Sequence, residues 1–386
     1  MRLKTSLKLG LTGAVALGAV LGSAGLAFAD YAPQPGDVVA VGGDTPQYAL
    51  SFLSDGDYNG DAGFNAAGAF NRLVTFNATA DNNARSAYAN GSTLTTPIPL
   101  NPTDVLRAGT FPVQRVQSSG AAVSALLADT SKEINFVFSA SQPTAAQQST
   151  AASNGWGYLH VVEIGTDSVK IATNATTNAP AGLSPAELVK IYNGTYTTWN
   201  QIPGNSGGST DAIIPLIPPS SSSIYKTLVA DLKTANGGTA VTLAASVKTV
   251  EQNDPSAITS ATVPADAIVP FSQARLNLWG DGYFHNPATV YPGSGTALSS
   301  GINLLTGTAP DAAAAYSSGI TDYVIYRQSD ATSATPFEPG GTRNWVQTLF
   351  ANANNNALVQ TSSGQALIAA SGVTPVYNDL GNVSSG

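Results

Sequence analysis

Short apolar runs, each followed by a polar Ser-, Thr- or Gly-rich turn and then an apolar-faced helix, recur along this chain. That alternation constrains its fold more than any other feature. Asp37–Val41 (DVVAV) runs into Gly42-Gly43-Asp44-Thr45-Pro46 and then a helical pattern over Gln47–Leu53. Phe111–Val116 reads as a strand, followed by Gln117-Ser118-Ser119-Gly120 and a helix over Ala121–Ala128. Ile134–Phe138 leads into Ser139-Ala140-Ser141-Gln142-Pro143, and Tyr158–Ile164 is a further strand. Ala212–Ile217 (AIIPLI) meets Pro218-Pro219 and Ser220–Ser223, then a helix with Ile224, Leu228 and Leu232 on one face. Tyr323–Arg327 is a late strand and Asn344–Asn352 a late helix. Strands alternating with helices predict an α/β fold with a mainly parallel sheet.

Three of these turns put hydroxyls at a helix start: Thr45, Ser118 with Ser119, and Ser222 with Ser223. A helix N-terminus offers unpaired N–H groups and the positive end of a dipole. Ser and Thr are also the favoured caps, so one such end by itself signals capping. Several ends facing one cleft would form an oxyanion site with little need for net charge.

Leu183–Gly204 (LSPAELVKIYNGTYTTWNQIPG) carries a helix with both ends specified. Ser184 is the expected N-cap, Pro185 the first helical residue, and Glu187 the third, which makes a capping box. Leu183 and Leu188 can staple across the start, and Asn193-Gly194 supplies a left-handed stop. Capping physics explains the helix but not the Trp199-Asn200 turn after it. The pattern L-x-x-x-E-L-x-x-I-Y-x-G-x-x-x-x-W-N resembles the signature of phosphate-binding components of phosphate ABC importers, in an actinobacterial branch.

That family has two α/β domains with a type II periplasmic-binding-protein-like fold, a hinge and an inter-domain ligand cleft. The resemblance therefore implies this architecture here: residues 30–164 plus 319–386 as one domain and 165–318 as the other. Gly43-Asp44-Thr45 resembles the first ligand loop, Val116–Gly120 (VQSSG) a Gly-Ser-Ser-Gly loop, and Phe136–Pro143 (FVFSASQP) a D-F-G-A-S-D-x-P loop. Pro218–Ile224 (PPSSSSI) stands where the family has R-x-D-G-S-G-T. Val250–Ile258 with Ala267–Phe271, and Gly340–Val346 (GGTRNWV), resemble later segments of the branch. The implied ligand contacts are Thr45, Ser118, Ser119, Ser141, Ser222 and Ser223. The family's fourth-loop Arg and third-loop Asp are missing, replaced by Pro218-Pro219 and by Ser141-Gln142. Arg115 is the candidate replacement charge, and a surface Arg is its plainer reading. With the salt-bridging groups missing, phosphate is in question, and sulfate or another oxyanion, a neutral polyol and no small ligand at all are open.

The N-terminus carries Arg2, Lys4 and Lys8, an apolar run from Leu9 to Ala27, and Ala27-Phe28-Ala29 before Asp30. Residues 1–29 are thus expected to be a signal peptide cleaved after Ala29, the competing reading being a retained membrane anchor. Cleavage would move the formal charge from −8 to −11 and leave 357 residues, enough for two domains. So acidic a chain will not bind nucleic acid through bulk charge. It contains no cysteine, which excludes disulfides, thiolate metal sites, a cysteine nucleophile and a lipid-modified N-terminal Cys.

Asp55-Gly56-Asp57-Tyr58-Asn59-Gly60-Asp61 matches the first seven positions of a calcium loop, with Asp55, Asp57, Asn59 and Asp61 as candidate ligands. Its twelfth position is Ala66 rather than a bidentate acid, so an acidic turn is the competing reading. His160 and His285 are the only histidines, and neither has neighbours at metal-ligand spacing. No G-x-S-x-G, H-E-x-x-H or Walker loop is present. No cofactor is expected beyond a possible structural calcium ion. The expected protein is a secreted, monomeric, non-enzymatic solute-binding protein that takes a small anion such as phosphate to an ABC permease. A secreted or wall-associated scaffold with the same fold is the alternative, and an exported hydrolase is a third.

Overall fold

A computed structural model describes residues 31–78, 103–284 and 297–385. The expected signal peptide and His285 lie outside the described residues. One sheet runs through the molecule in the order β2-β1-β5-β11-β6-β9-β7-β8, with β10 and β12 also paired to β6. These strands are β1 (Val38–Gly42), β2 (Leu73–Thr75), β5 (Phe136–Ser139), β6 (Leu159–Asn174), β7 (Ile214–Ile217), β8 (Lys248–Thr249), β9 (Ala267–Ser272), β10 (Ile302–Leu304), β11 (Ser317–Arg327) and β12 (Thr374–Gly381). A separate two-stranded ladder pairs β3 (Thr103–Asp104) with β4 (Val113–Gln114).

The sheet is mixed rather than mainly parallel. Parallel pairs occur at its two flanks: β1 with β2 and β5, and β7 with β8 and β9. Between them β6 and β11 run antiparallel to each other over the whole of β11, and antiparallel to β9 and β5 respectively. The expected strand Tyr158–Ile164 is only the first part of the 16-residue β6. Its continuation, Gly165-Thr166-Asp167-Ser168, is too polar to read as buried strand, yet ladders with β11 satisfy its backbone.

β6 passes through two packed regions. Val161, Val162 and Ile164 belong to cores that also hold Val38–Val41, Phe136, Val137, Val324 and Ile325. Val169, Ile171 and Ala172 belong to cores that hold Ile217, Ile268, Val269 and Phe271. Successive residues of β1 alternate between the two faces of the sheet, and each face is covered. This explains why Val38–Gly42 is an unbroken apolar run, as strands buried on both faces are.

The helices that matter for the site are α1 (Gln47–Asp55), α2 (Ser119–Ala128), α3 (Pro185–Tyr192), α4 (Ser223–Ala235) and α5 (Gln273–Gly280). Helix α3 forms as its sequence specifies. Ser184 caps the Glu187 N–H, Glu187 answers to the Ser184 N–H at 2.9 Å, and Gly194 turns left-handed at φ 80°. Leu183 and Leu188 are both buried, and the Trp199 indole after the helix donates to Asp266 at 2.7 Å. The expected strand Phe111–Val116 shrinks to Val113–Gln114, both exposed. Helix α5 follows β9 in the second packed region, but Ala274 and Leu278 pack into the core around Leu50 and Phe52 of the first.

Candidate functional site

The strands β1, β5, β7 and β9 all deliver their C-terminal ends to the junction of the two packed regions, where ligands of open α/β sheets bind. Four loops meet there. Gly43 presses on the start of α2 so closely that a β-carbon would stand 2.8 Å from Ser119 Oγ and 3.0 Å from its amide nitrogen. Ser119 Oγ in turn accepts the Ala140 N–H at 2.8 Å, which ties the second loop to the third. In that third loop Ser139 donates its hydroxyl to the Ser141 carbonyl at 2.6 Å, and Ser141 is half-buried.

The expected hydroxyls divide into two groups. Ser118 and Ser222 act as N-caps, accepting the Ala121 and Tyr225 N–H groups at 3.4 and 3.2 Å. Thr45 does not cap: Pro46 holds the N-cap position of α1 and makes no side-chain bond. The Thr45 hydroxyl instead meets Ser223 Oγ at 3.2 Å, linking the first loop to the start of α4 across the junction. Thr45, Ser119 and Ser223 are all buried.

Sequence reasoning gave Asp44 no role, yet it is the centre of the junction. Its Oδ1 receives Arg275 at 2.9 Å and Gln47 at 3.3 Å. Its Oδ2 receives Asn253 at 2.6 Å and Gln252 at 3.0 Å. The ion pair is buried on both sides, and the Arg275 guanidinium also lies over the Tyr48 ring at 4.5 Å. Burial opposes the Arg275 charge, but Asp44, Tyr48 and Asp167 together outweigh it and raise the pKa. Ser272 caps α5 and hydrogen-bonds to Asp167, whose other oxygen accepts the Ala274 N–H at 2.9 Å. Asn253, within VEQNDPSAI, takes a left-handed φ of 54°. Nothing local in FSQAR marked Arg275.

Arg115 is turned elsewhere. Its Nε and a terminal nitrogen hold Asp104 at 3.0 and 2.9 Å, beside the β3–β4 ladder. A different cation stands near the second loop. A β-carbon at Gly120 would lie 3.4 Å from Lys226 Nζ, so this α4 side chain reaches across to the start of α2.

The acidic loop is built as a turn. Asp57 Oδ1 accepts the N–H groups of Asn59 and Asp61 at 2.9 Å each, while Asp55 accepts from Asn65 at 2.8 Å. Among the described residues, no group of three or more His, Cys, Asp or Glu side chains is placed to hold a metal ion. Asp57 Oδ2 accepts the Asn59 side-chain amide at 3.2 Å, so both oxygens of Asp57 take part in the turn. His160 lies against Gln328 and Asp379, and stacks on Tyr326.

Residues 106–340 match the family model described as the PBP superfamily domain, and the chain belongs to that superfamily. Its architecture is the type II periplasmic-binding-protein-like one. No curated protein is similar enough to match. Among solved structures, a phosphate-binding protein from Stenotrophomonas maltophilia is 14% identical with a TM-score of 0.48, over 88% of this chain and 90% of that one. A putative phosphate ABC transporter substrate-binding protein with bound phosphate, from Clostridium perfringens, is 10% identical with a TM-score of 0.47, over 88% and 99%. An ABC-type phosphate transport receptor from Vibrio cholerae is 12% identical with a TM-score of 0.43, over 87% and 99%. These three are binding or transport-receptor proteins, not enzymes. At such identities the likeness assigns no ligand.

Proposed function

We propose that this chain is an exported solute-binding protein of an ABC importer, monomeric, which captures a small phosphate-like oxyanion between two domains. The domains are 30–164 plus 319–386 and 165–318, with residues 1–29 removed as a signal peptide. The observation that carries this reading is the Thr45–Ser223 contact, where hydroxyls from opposite sides of the junction meet at the starts of α1 and α4. An oxyanion there would take donors from Thr45, Ser119 and Ser223, with Ser141 at the edge and the helix ends capped by Ser118 and Ser222 behind them. Lys226 supplies positive charge, in place of Arg115, which is committed to Asp104 as Arg275 is to Asp44. Closure on the anion would present one face to a membrane permease. Among the described residues no helix is long and apolar enough to cross a membrane.

A specific observation favours the scaffold reading as well. Thr45 bonds directly to Ser223, and protein groups occupy both oxygens of Asp44, so the junction can close on its own side chains. A thermal-shift titration with phosphate, sulfate and a sugar panel separates the two. A ligand that binds only the folded protein at a hundred times its Kd stabilises it by about 2.7 kcal/mol. A saturable rise with phosphate supports capture. No rise with any ligand leaves the scaffold.

A further inference from the structure

Asp322 sits at the irregularity of β11, where the register with β6 shifts between Asp322 and Tyr323. It is completely buried, and neither carboxyl oxygen has a hydrogen-bond partner among the described residues. An ionised carboxylate in such a place is far costlier than a neutral one. Asp322 pairs with Gly165 of β6, and Asp167 pairs with Ile320 two positions on, so the two acids lie diagonally on one face of the ladder. That face is closed over Gly165 by Val373, Ile368 and the Thr374 carbonyl, which bring no charge.

The charged groups that act on it are Asp167 from β6 and Asp44 from the first loop; Arg275 of α5 pairs with Asp44 and lends its charge to Asp167. Asp44 is committed to Arg275, Gln252 and Asn253. Burial raises the Asp167 pKa, but bonds from Ser272, Ala274 and Ser168 and the charge of Arg275 act against that. Asp322 has no such help. Burial first, then the negative charges of Asp167 and Asp44, push its pKa well above the ordinary carboxylate range. Asp322 is therefore the acid whose neutral form the surroundings favour most plainly, being buried with no hydrogen-bond partner among the described residues.

We infer that closure of the junction is coupled to uptake of a proton by Asp322, so that the closed form is favoured at low pH and the junction loosens as pH rises. The geometry supplies the coupling. Asp322 lies on one of the two strands that join the packed regions, and the acids beside it are bound from the second region, Asp44 by Gln252 and Asn253 and Asp167 by Ser272. Opening would let water reach the buried carboxyl and return it to ordinary carboxylate behaviour. The sign follows: a group whose pKa is raised in one state favours that state below its ordinary pKa and loses the effect as pH climbs through the raised value. In that window the closed-to-open ratio falls by up to about tenfold per pH unit. For an anion-binding protein the direction is apt, since a neutral Asp322 removes one negative charge from beside the site. This inference rests on the hinged, ligand-capturing reading proposed above.

Small-angle scattering of the ligand-free protein between pH 5 and 8.5 tests it without requiring any ligand. The wild type should expand as pH rises, and the isosteric Asp322→Asn variant should keep the compact radius throughout. An Asp322→Asn variant that expands like the wild type would overturn the inference. If that variant fails to fold, the carboxyl-carbon NMR signal of Asp322 in the labelled wild-type protein decides. It should keep its protonated position above the ordinary carboxylate range, and titration within that range would overturn the inference. Phosphate titrations at pH 5.5 and 8 then bear separately on the capture reading. Expansion without any anion binding retains the proton coupling and removes the oxyanion.

Discussion

Thr45 Oγ1 and Ser223 Oγ lie 3.2 Å apart although 178 residues separate them. The contact exists because β1 and β7 end at the same junction and because Pro46, not Thr45, holds the cap position of α1. A threonine that is not needed as a cap has its hydroxyl available for the other side.

The Arg275–Asp44 pair should be the most sensitive polar contact of the junction. Arg275→Met removes the cation but leaves Asp44 buried, and breaking a buried pair in this way costs about 3–5 kcal/mol. Urea denaturation should show that loss, and Arg275→Met with Asp44→Asn together should recover part of it. A loss within 0.5 kcal/mol, roughly the scatter of neutral surface changes, would mean the pair is not closed in solution.

Lys226 should matter to anion binding and not to stability. Its side chain is exposed on α4 and only its tip approaches Gly120. Lys226→Met should weaken phosphate binding about 3- to 10-fold, the range of one partly exposed charge, with an unchanged urea midpoint. Calorimetric titration at two salt concentrations reads both the loss and its screening. Equal affinities in the two proteins would exclude Lys226 from the site.

Ser184 holds the start of α3 twice, by capping Glu187 and by donating to Asp311 at 2.5 Å. Ser184→Ala should cost about 1–2 kcal/mol, the upper part of the range for lost caps. The same substitution at Ser118 removes a longer cap bond of 3.4 Å and should cost less. Chemical unfolding of the two variants side by side gives the ranking.

The His160–Asp379 contact should give stability a pH dependence. Burial works against the His160 charge, but hydrogen bonds to Asp379 and Gln328 outweigh it and raise the pKa. The His160 contribution is then full below its ordinary value of 6.5 and is lost as pH rises through the raised value. Asp379 is held below its ordinary value, first by the hydrogen bond from His160, so its own share is lost only as pH falls through that depressed value. Melting temperatures between pH 5 and 9 should decline on the alkaline side in the wild type and flatten in Asp379→Asn.

Trp199 is fully buried and gives its indole N–H to Asp266, which is also fully buried. Trp199→Phe keeps most of the packing but leaves Asp266 with the Asn178 amide at 2.9 Å as its side-chain donor. The expected loss is about 1 kcal/mol, the net worth of one hydrogen bond, because the same Asp266 oxygen keeps its Asn178 donor. Unfolding followed by circular dichroism checks it, since one of the four tryptophan reporters is itself removed.

Much of the chain's local order was legible because it depends on neighbours in sequence. The capping box of α3, the left-handed Gly194 and the amphipathic face of α4 each need only a few consecutive residues. The double-faced burial of β1 was legible too, as an unbroken apolar run. The candidate site was only half legible. The hydroxyl loops stood out as strand–turn–helix units, but Asp44, Gln252, Asn253 and Arg275 did not. Each is an ordinary polar residue until the chain folds, and only their convergence makes one buried network. Arg115 misled for the same reason: a cation beside a ligand-like loop looks available until Asp104 arrives from the β3–β4 ladder.

By itself, then, the sequence determined the elements, their caps and the alternation that makes an α/β protein, since these follow from backbone sterics and periodic burial over short spans. The tertiary structure decided the rest. The pairing of β6 with β11 carries the polar stretch Gly165–Ser168 through the middle of the molecule as strand. It also sets α5 across the junction onto the first core and places Asp167 and Asp322 diagonally on one face of the ladder. Those outcomes depend on contacts between residues far apart in sequence, in surroundings where exclusion of water fixes which charge is paired and which carboxyl must hold a proton.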